Sequence, residues 1–170
     1  MFREALARRA VPMLGAVAML ALVPFGVAGA SQSKPSDDND DAPRTVLRSS
    51  LAGSLPTDPA LFGVLPGTSP WVIERGTVRL KADGRLSLRV RGLVIPIAPA
   101  NGTNPVPTLS ASVFCSGALV ASTATVPFSK TGDAELEQDI GELPSPCLAP
   151  AVFVHPNAVT PRYIAFNGSR

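Results

Sequence analysis

Two runs of strictly alternating character flank Asp83-Gly84. Thr77-Val78-Arg79-Leu80-Lys81 precedes it and Arg85-Leu86-Ser87-Leu88-Arg89-Val90-Arg91 follows it. A period of two on both sides of Asp-Gly predicts a β-hairpin closed by a tight turn. Val78, Leu80, Leu86, Leu88 and Val90 then face a core, while Arg79, Lys81, Arg85, Arg89 and Arg91 share the solvent face. Shorter runs predict further strands over 93–97, 109–115, 118–123, 133–140, 151–154 and 162–166. The pair 109–115 and 118–123 forms a second hairpin across Ser116-Gly117. In 133–140, Asp133, Glu135, Glu137 and Asp139 alternate with Ala134, Leu136, Gln138 and Ile140.

Before residue 70 the pattern is weaker. Val46, Leu47 and Leu51 fit either one helical turn or a short strand, and Pro56, Pro59, Pro66 and Pro70 interrupt any long element. Residues 31–45 are polar and charged and read as a flexible tether. Asp37, Asn39 and Asp41 open like a calcium loop, but Ala42 and Arg48 occupy the positions that need Gly and Glu. The first thirty residues have a basic head (Arg3, Arg8, Arg9), an apolar run from Ala10 to Ala28, and small residues at Ala28-Gly29-Ala30. That is the layout of a secretory signal cleaved before Ser31, the alternative being a retained anchor.

The expected organisation is therefore a signal peptide over 1–30, a tether and edge-wrapping segment over 31–69, and a domain over 70–170. About seven short strands with regular turn signals predict an all-β fold, an antiparallel β-sandwich or small barrel. Eighteen prolines and fourteen glycines agree with the absence of long helices.

Charge changes meaning once the signal is set aside. The formal net charge is +2, but three of the fifteen basic residues and one of the thirteen acidic ones precede Ser31, leaving twelve of each. The hint of a polyanion-binding chain thus disappears, and with few aromatic residues interleaved, nucleic acid is not expected as a partner. Cys115 and Cys147 are the only cysteines, and in an exported chain they are expected to form one structural disulfide.

Chemistry-bearing motifs are sparse. No Gly-rich phosphate loop and no metal-ligand cluster occurs, so no cofactor or metal is expected. His155, the single histidine, stands beside Pro156-Asn157 with no nucleophile motif, and reads as a partly exposed strand-end residue. Glu135 and Glu137 lie about 7 Å apart on one solvated strand face, unlike carboxylates across a cleft. Trp71, after Pro70, reads as a core or edge-covering residue. The basic stripe of Arg79, Lys81, Arg85, Arg89 and Arg91 is the one candidate binding feature. It either meets an anionic cell-wall polymer or another envelope protein, or it is neutralised by the acidic strand 133–139 as its sheet neighbour. The second arrangement is expected.

The segments Pro70-Trp71-Val72-Ile73-Glu74-Arg75-Gly76-Thr77-Val78-Arg79-Leu80, Asp83-Gly84-Arg85-Leu86 and Val90-Arg91-Gly92-Leu93-Val94-Ile95-Pro96 resemble a family of small exported proteins of high-GC Gram-positive bacteria. Ala149-Pro150-Ala151-Val152, His155-Pro156-Asn157 and the two cysteines extend the likeness to residue 166. The Gly76…Asp83-Gly84…Gly92-Leu93 hairpin also resembles the first hairpin of chordin-like β-domains. Both resemblances imply an exported β-rich domain, and neither implies catalytic residues.

The sequence thus predicts a non-catalytic secreted or cell-envelope β-domain acting as an interaction or structural module, meeting the membrane only through its signal peptide. A secreted enzyme, or a ligand carrier with a cavity between sheets, is the alternative. N-terminal sequencing of exported material should read Ser31 first; full-length protein confined to the membrane would contradict the cleavage site.

Overall fold

The computed structural model describes residues 42–169; the signal segment and the tether up to residue 41 lie outside the described residues. The chain there is all-β, with no helix among the described residues, and forms one antiparallel sheet curled into a half-barrel. The strands are β1 (Thr45–Gly53), β2 (Leu65–Pro66), β3 (Arg75–Lys81), β4 (Arg85–Arg91), β5 (Thr108–Cys115), β6 (Ala118–Ser122), β7 (Val126–Pro127), β8 (Ala134–Asp139), β9 (Ala151–Pro156), β10 (Arg162–Tyr163) and β11 (Ala165–Asn167). Eight of them run in the order β6-β5-β9-β11-β1-β3-β4-β8, and β7 lies beside β6 along β5. The short strands β2 and β10 form a separate parallel pair.

Alternation decides which way each strand faces. In β3 and β4 the buried positions are Val78, Leu80, Leu86, Leu88 and Val90, and every second residue is exposed. The inner faces of all the long strands converge on one core, which Leu109, Ala111, Val113, Leu136, Val152 and Val154 share. Trp71 closes part of it, 5% exposed and stacked on Phe128 at 6.5 Å between centroids. Burying each such Leu or Val side chain stabilises the fold by roughly 1.5–3 kcal/mol before chain entropy is counted. Where the two ends of the sheet approach each other, the Gln138 amide takes the place of a backbone ladder. Its Oε1 accepts from Ala124 N–H at 2.9 Å, and its Nε2 donates to Ala124 C=O at 3.2 Å. One polar side chain thereby links the end strand β8 to the segment joining β6 and β7.

The outer face of the curl carries a second, smaller cluster. β5 has its inner residues in the main core and its outer ones, Ser110, Ser112 and Phe114, buried as well. Val64, Phe114, Phe153 and Tyr163 form that outer cluster, with Leu61, Ala151 and Phe166 packed against it. Phe114–Phe153 and Phe153–Tyr163 centroids lie 5.2 and 5.3 Å apart. Segment 54–69 covers these rings, as an edge-wrapping segment would.

Three expectations are corrected. Residues 45–53, assigned to the tether and wrapping segment, form β1, an interior strand between β11 and β3. The sheet therefore begins near residue 45 rather than at residue 70. Its alternation was hidden because Ser49, on the inner side opposite Val78, is polar like the outward Arg48 and Ser50 that flank it. Residues 93–97 make only isolated bridges, Val72↔Val94 and Ile95↔Thr103, because Pro96 has no N–H to donate. The run 162–166 divides into β10, which pairs with β2, and β11, which pairs with β9.

Cys115 and Cys147 are bonded, with Cα atoms 4.9 Å apart and a sequence separation of 32. The bond ties the end of β5 to the loop that leads into β9. Chain entropy gives a loop of this length about 3–4 kcal/mol of stabilisation. The Cys115→Ser/Cys147→Ser protein should lose stability by that order in urea unfolding; an unchanged midpoint would contradict it.

Candidate functional site

The charged outer face spans β1, β3, β4 and β8, and its registers set which charges meet. β8 pairs with β4, so Arg89 lies opposite Glu135, Ser87 opposite Glu137, and Arg85 opposite Asp139. The acidic strand is therefore the sheet neighbour of the basic hairpin. Arg89 Nη2 donates to Glu135 Oε1 in an exposed ion pair. The hydrogen bond with Arg89 holds the Glu135 carboxyl below its ordinary range, and the same contact raises the Arg89 guanidinium. Arg85 Nε pairs with Asp83 Oδ2 at 2.7 Å inside its own turn. Arg91 lies near Asp133, whose carboxyl is lowered first by the Thr131 hydroxyl and then by Gly92 N–H. Exposed pairs of this kind each contribute about 0–1 kcal/mol.

One strand further on, the matching stops. Arg79 on β3 has Ser87 as its partner on β4 and Arg48 as its partner on β1. Arg75 faces Arg91. Among the described residues no carboxylate lies within ion-pair distance of Arg48, Arg75, Arg79 or Lys81. The predicted stripe is thus divided: Arg85 and Arg89 are paired, Arg91 has acidic neighbours and Lys81 has the charge of Asp83 nearby, whereas Arg79 has no acidic partner. Arg48 and Arg75 join the unpaired half and were not singled out in the sequence. Arg48 was missed because residues 46–51 were left between a helical turn and a short strand with no sheet partner, and Arg75 because the alternation was read only from Thr77. The row Arg48–Arg79–Ser87–Glu137 therefore runs cation, cation, hydroxyl, anion. Directly opposed like charges, with Cβ atoms about 4.5–5.5 Å apart, oppose folding. Arg48, Ser50, Thr77, Arg79, Ser87 and Arg89 line an open groove across this face.

His155 departs from expectation. It stands in β9, 0% exposed, under the segment leading into β10. Its Nδ1 lies 2.8 Å from the Arg162 carbonyl oxygen, which can only accept, so Nδ1 carries the proton. Nε2 then accepts from the Ser112 hydroxyl at 2.7 Å. A serine bonded to an oriented histidine has the connectivity of a nucleophile and its base. Here Ser112 is 1% exposed and lies between two strands, so the pair holds β5 to β9 rather than facing solvent. The clue in the sequence was Ser110-x-Ser112: small hydroxyls alternating with Leu109, Ala111 and Val113 mark a second face with little room. Glu135 and Glu137 stand on the open outer face, and among the described residues no group of three or more His, Cys, Asp or Glu is placed to hold a metal ion.

Burial pushes the His155 imidazolium below its ordinary range, partly offset by hydrogen bonds that the ring donates to the backbone of Arg162 and Thr160. The folded protein thus binds this proton less readily than the unfolded chain. Its contribution to stability is complete above the unfolded value of about 6.5 and is lost as pH falls below it toward the folded value. Thermal midpoints should fall between neutral and mildly acidic pH, and His155→Gln should flatten that slope; an equal slope in the variant would refute the assignment.

Comparisons with protein-family models, with curated proteins and with solved structures find no match to this chain.

Proposed function

We propose that the chain is a non-catalytic module of the cell envelope that holds an anionic polymer against the β1–β3 half of its outer face. The observation that carries this reading is the unpaired Arg48–Arg79 cross-strand pair. Two guanidinium groups side by side present forked donors to phosphate or carboxylate oxygens. Ser50, Thr77 and Ser87 place hydroxyls around them on the same open groove. An anion between the two arginines would relieve their mutual repulsion. The acidic strand β8 gives the face a direction, since a polyanion is attracted at β1–β3 and repelled at Glu135, Glu137 and Asp139.

Two further features support the reading. The disulfide suits an oxidising, extracytoplasmic location. The serine–histidine pair is occupied in holding strands together.

Binding to a glycerol-phosphate polymer, measured by titration calorimetry, tests the proposal. Affinity should weaken as salt rises, because exposed charges are screened. Arg48→Gln/Arg79→Gln should lower it about tenfold or more, the loss of charge-assisted hydrogen bonds. Neutralising Glu137 should leave it unchanged or raise it. Binding that ignores salt and both arginines would overturn the proposal.

A further inference from the structure

Register matches charges across β4 and β8, but it leaves a remainder of opposite sign to the one at β1–β3. Arg48 on β1, Arg79 on β3, Ser87 on β4 and Glu137 on β8 form one row across the sheet. The groove over that row takes in Asp139 as well, two residues further along β8. Asp83 pairs with Arg85, and Glu135 with Arg89. Those pairs leave the two arginines on one wall of the groove and two carboxylates, Glu137 and Asp139, on the other. Among the described residues neither carboxylate lies within ion-pair distance of a cation. Glu137 accepts a long hydrogen bond from the Ser87 hydroxyl at 3.5 Å, and its pull on Arg89 is weaker than that of Glu135. Asp139 lies opposite Arg85, but that guanidinium turns to Asp83, and Asp139 accepts from Gly141 N–H at 2.9 Å instead.

The flanking elements neutralise neither wall. The sheet order ends at β8, and segment 118–127, which meets β8 through Gln138, carries no Lys or Arg. On the far side of β1, β11 carries no Asp or Glu. A ligand of one sign therefore suits one wall alone. A polyanion held at Arg48 and Arg79 must stop short of β8 or meet two carboxylates that repel it. The electrostatic complement of the whole groove is a ligand with both signs: an anion for the arginine pair and a cation for the carboxylates.

Strand spacing sets how far apart the two charges must be. Neighbouring strands lie about 4.8 Å apart, so the middle of the Arg48–Arg79 pair is about 12 Å from β8 along the row. A phospholipid headgroup carries its ammonium two carbons from a phosphate oxygen, too short to bridge that gap. A polymer with phosphates in its backbone and ammonium groups on pendant arms can span it. We propose that the groove takes a zwitterionic polymer of this kind, with phosphate at Arg48–Arg79 and ammonium at Glu137–Asp139. The inference rests on the anion-binding reading and adds to it the second charge and its place.

Titration calorimetry with two glycerol-phosphate polymers tests it. One bears pendant aminoalkyl arms, and in the other those amines are acetylated. A chelator in both titrations prevents a divalent ion from bridging phosphate to carboxylate. The acetylated polymer has the larger net negative charge, so a merely basic face prefers it. This groove should instead bind the ammonium form roughly fivefold tighter, the scale of exposed ion pairs. Glu137→Gln/Asp139→Asn, both at exposed positions, should remove that preference, while Arg48→Gln/Arg79→Gln should weaken binding of both polymers. Equal affinity, or preference for the acetylated polymer, would overturn the inference and leave the anion site standing. So would a preference that survives in the carboxylate variant. Binding of neither polymer would overturn both readings. Phosphatidylethanolamine vesicles that displace the ammonium polymer at equal headgroup concentration would contradict the spacing and assign the groove to lipid.

Discussion

The rest of this structure depends on one strand being buried on both of its faces. β5 gives Leu109, Ala111 and Val113 to the main core and Ser110, Ser112 and Phe114 to the outer side. A strand covered on only one side could carry long polar groups outward. β5 cannot, so its outer positions are small hydroxyls or an aromatic ring. His155, itself held by the Arg162 carbonyl, satisfies Ser112, the 54–69 segment and β10 cover the aromatic cluster, and the disulfide fixes the end of the strand. The Ser110 hydroxyl on the same face has no hydrogen-bond partner among the described residues, which costs about 1–3 kcal/mol, so the packing of the strand and its covering segments must offset it.

That constraint separates the molecule into two chemistries. On the β1-β3-β4-β8 side only the inner face is buried, and the outer face is free to carry charge in registered rows. The rows are matched at β4–β8 and unmatched at β1–β3, which makes the face directional rather than uniformly basic. On the β5–β9 side both faces are buried under the 54–69 segment and β10, while β6 stays exposed at the edge. The anionic polymer proposed above would therefore meet only the singly covered half of the sheet.

The hairpin was legible in the sequence because β3 and β4 have one wet face, so their alternation is complete, and Asp83-Gly84 fixes their register. The disulfide followed from the cysteine count. The adjacency of β8 to β4 followed from complementary charge. β1 was not legible, because its polar positions are consecutive where it bends past β3, and the register shift between Thr45 and Leu47 breaks the period. The burial of His155 was hidden for a different reason. A lone histidine beside a proline looks exposed, and only the covering strand β10, which joins β9 through residues 157–161, encloses it. The unmatched cations could not be found without the β1–β3 register, since Arg48 gains its meaning only opposite Arg79.

Native-state hydrogen exchange tests the role of β5 most directly. If double burial of this strand anchors the fold, the amides of Ser110 and Ser112 and those of Phe153 and His155 on β9, which face each other across the β5–β9 ladder, exchange only through global unfolding. Those of β6, exposed along its length, should exchange through local opening at much lower free energy. Amides of Ser110 and Ser112 that exchange as readily as those of β6 would contradict the account.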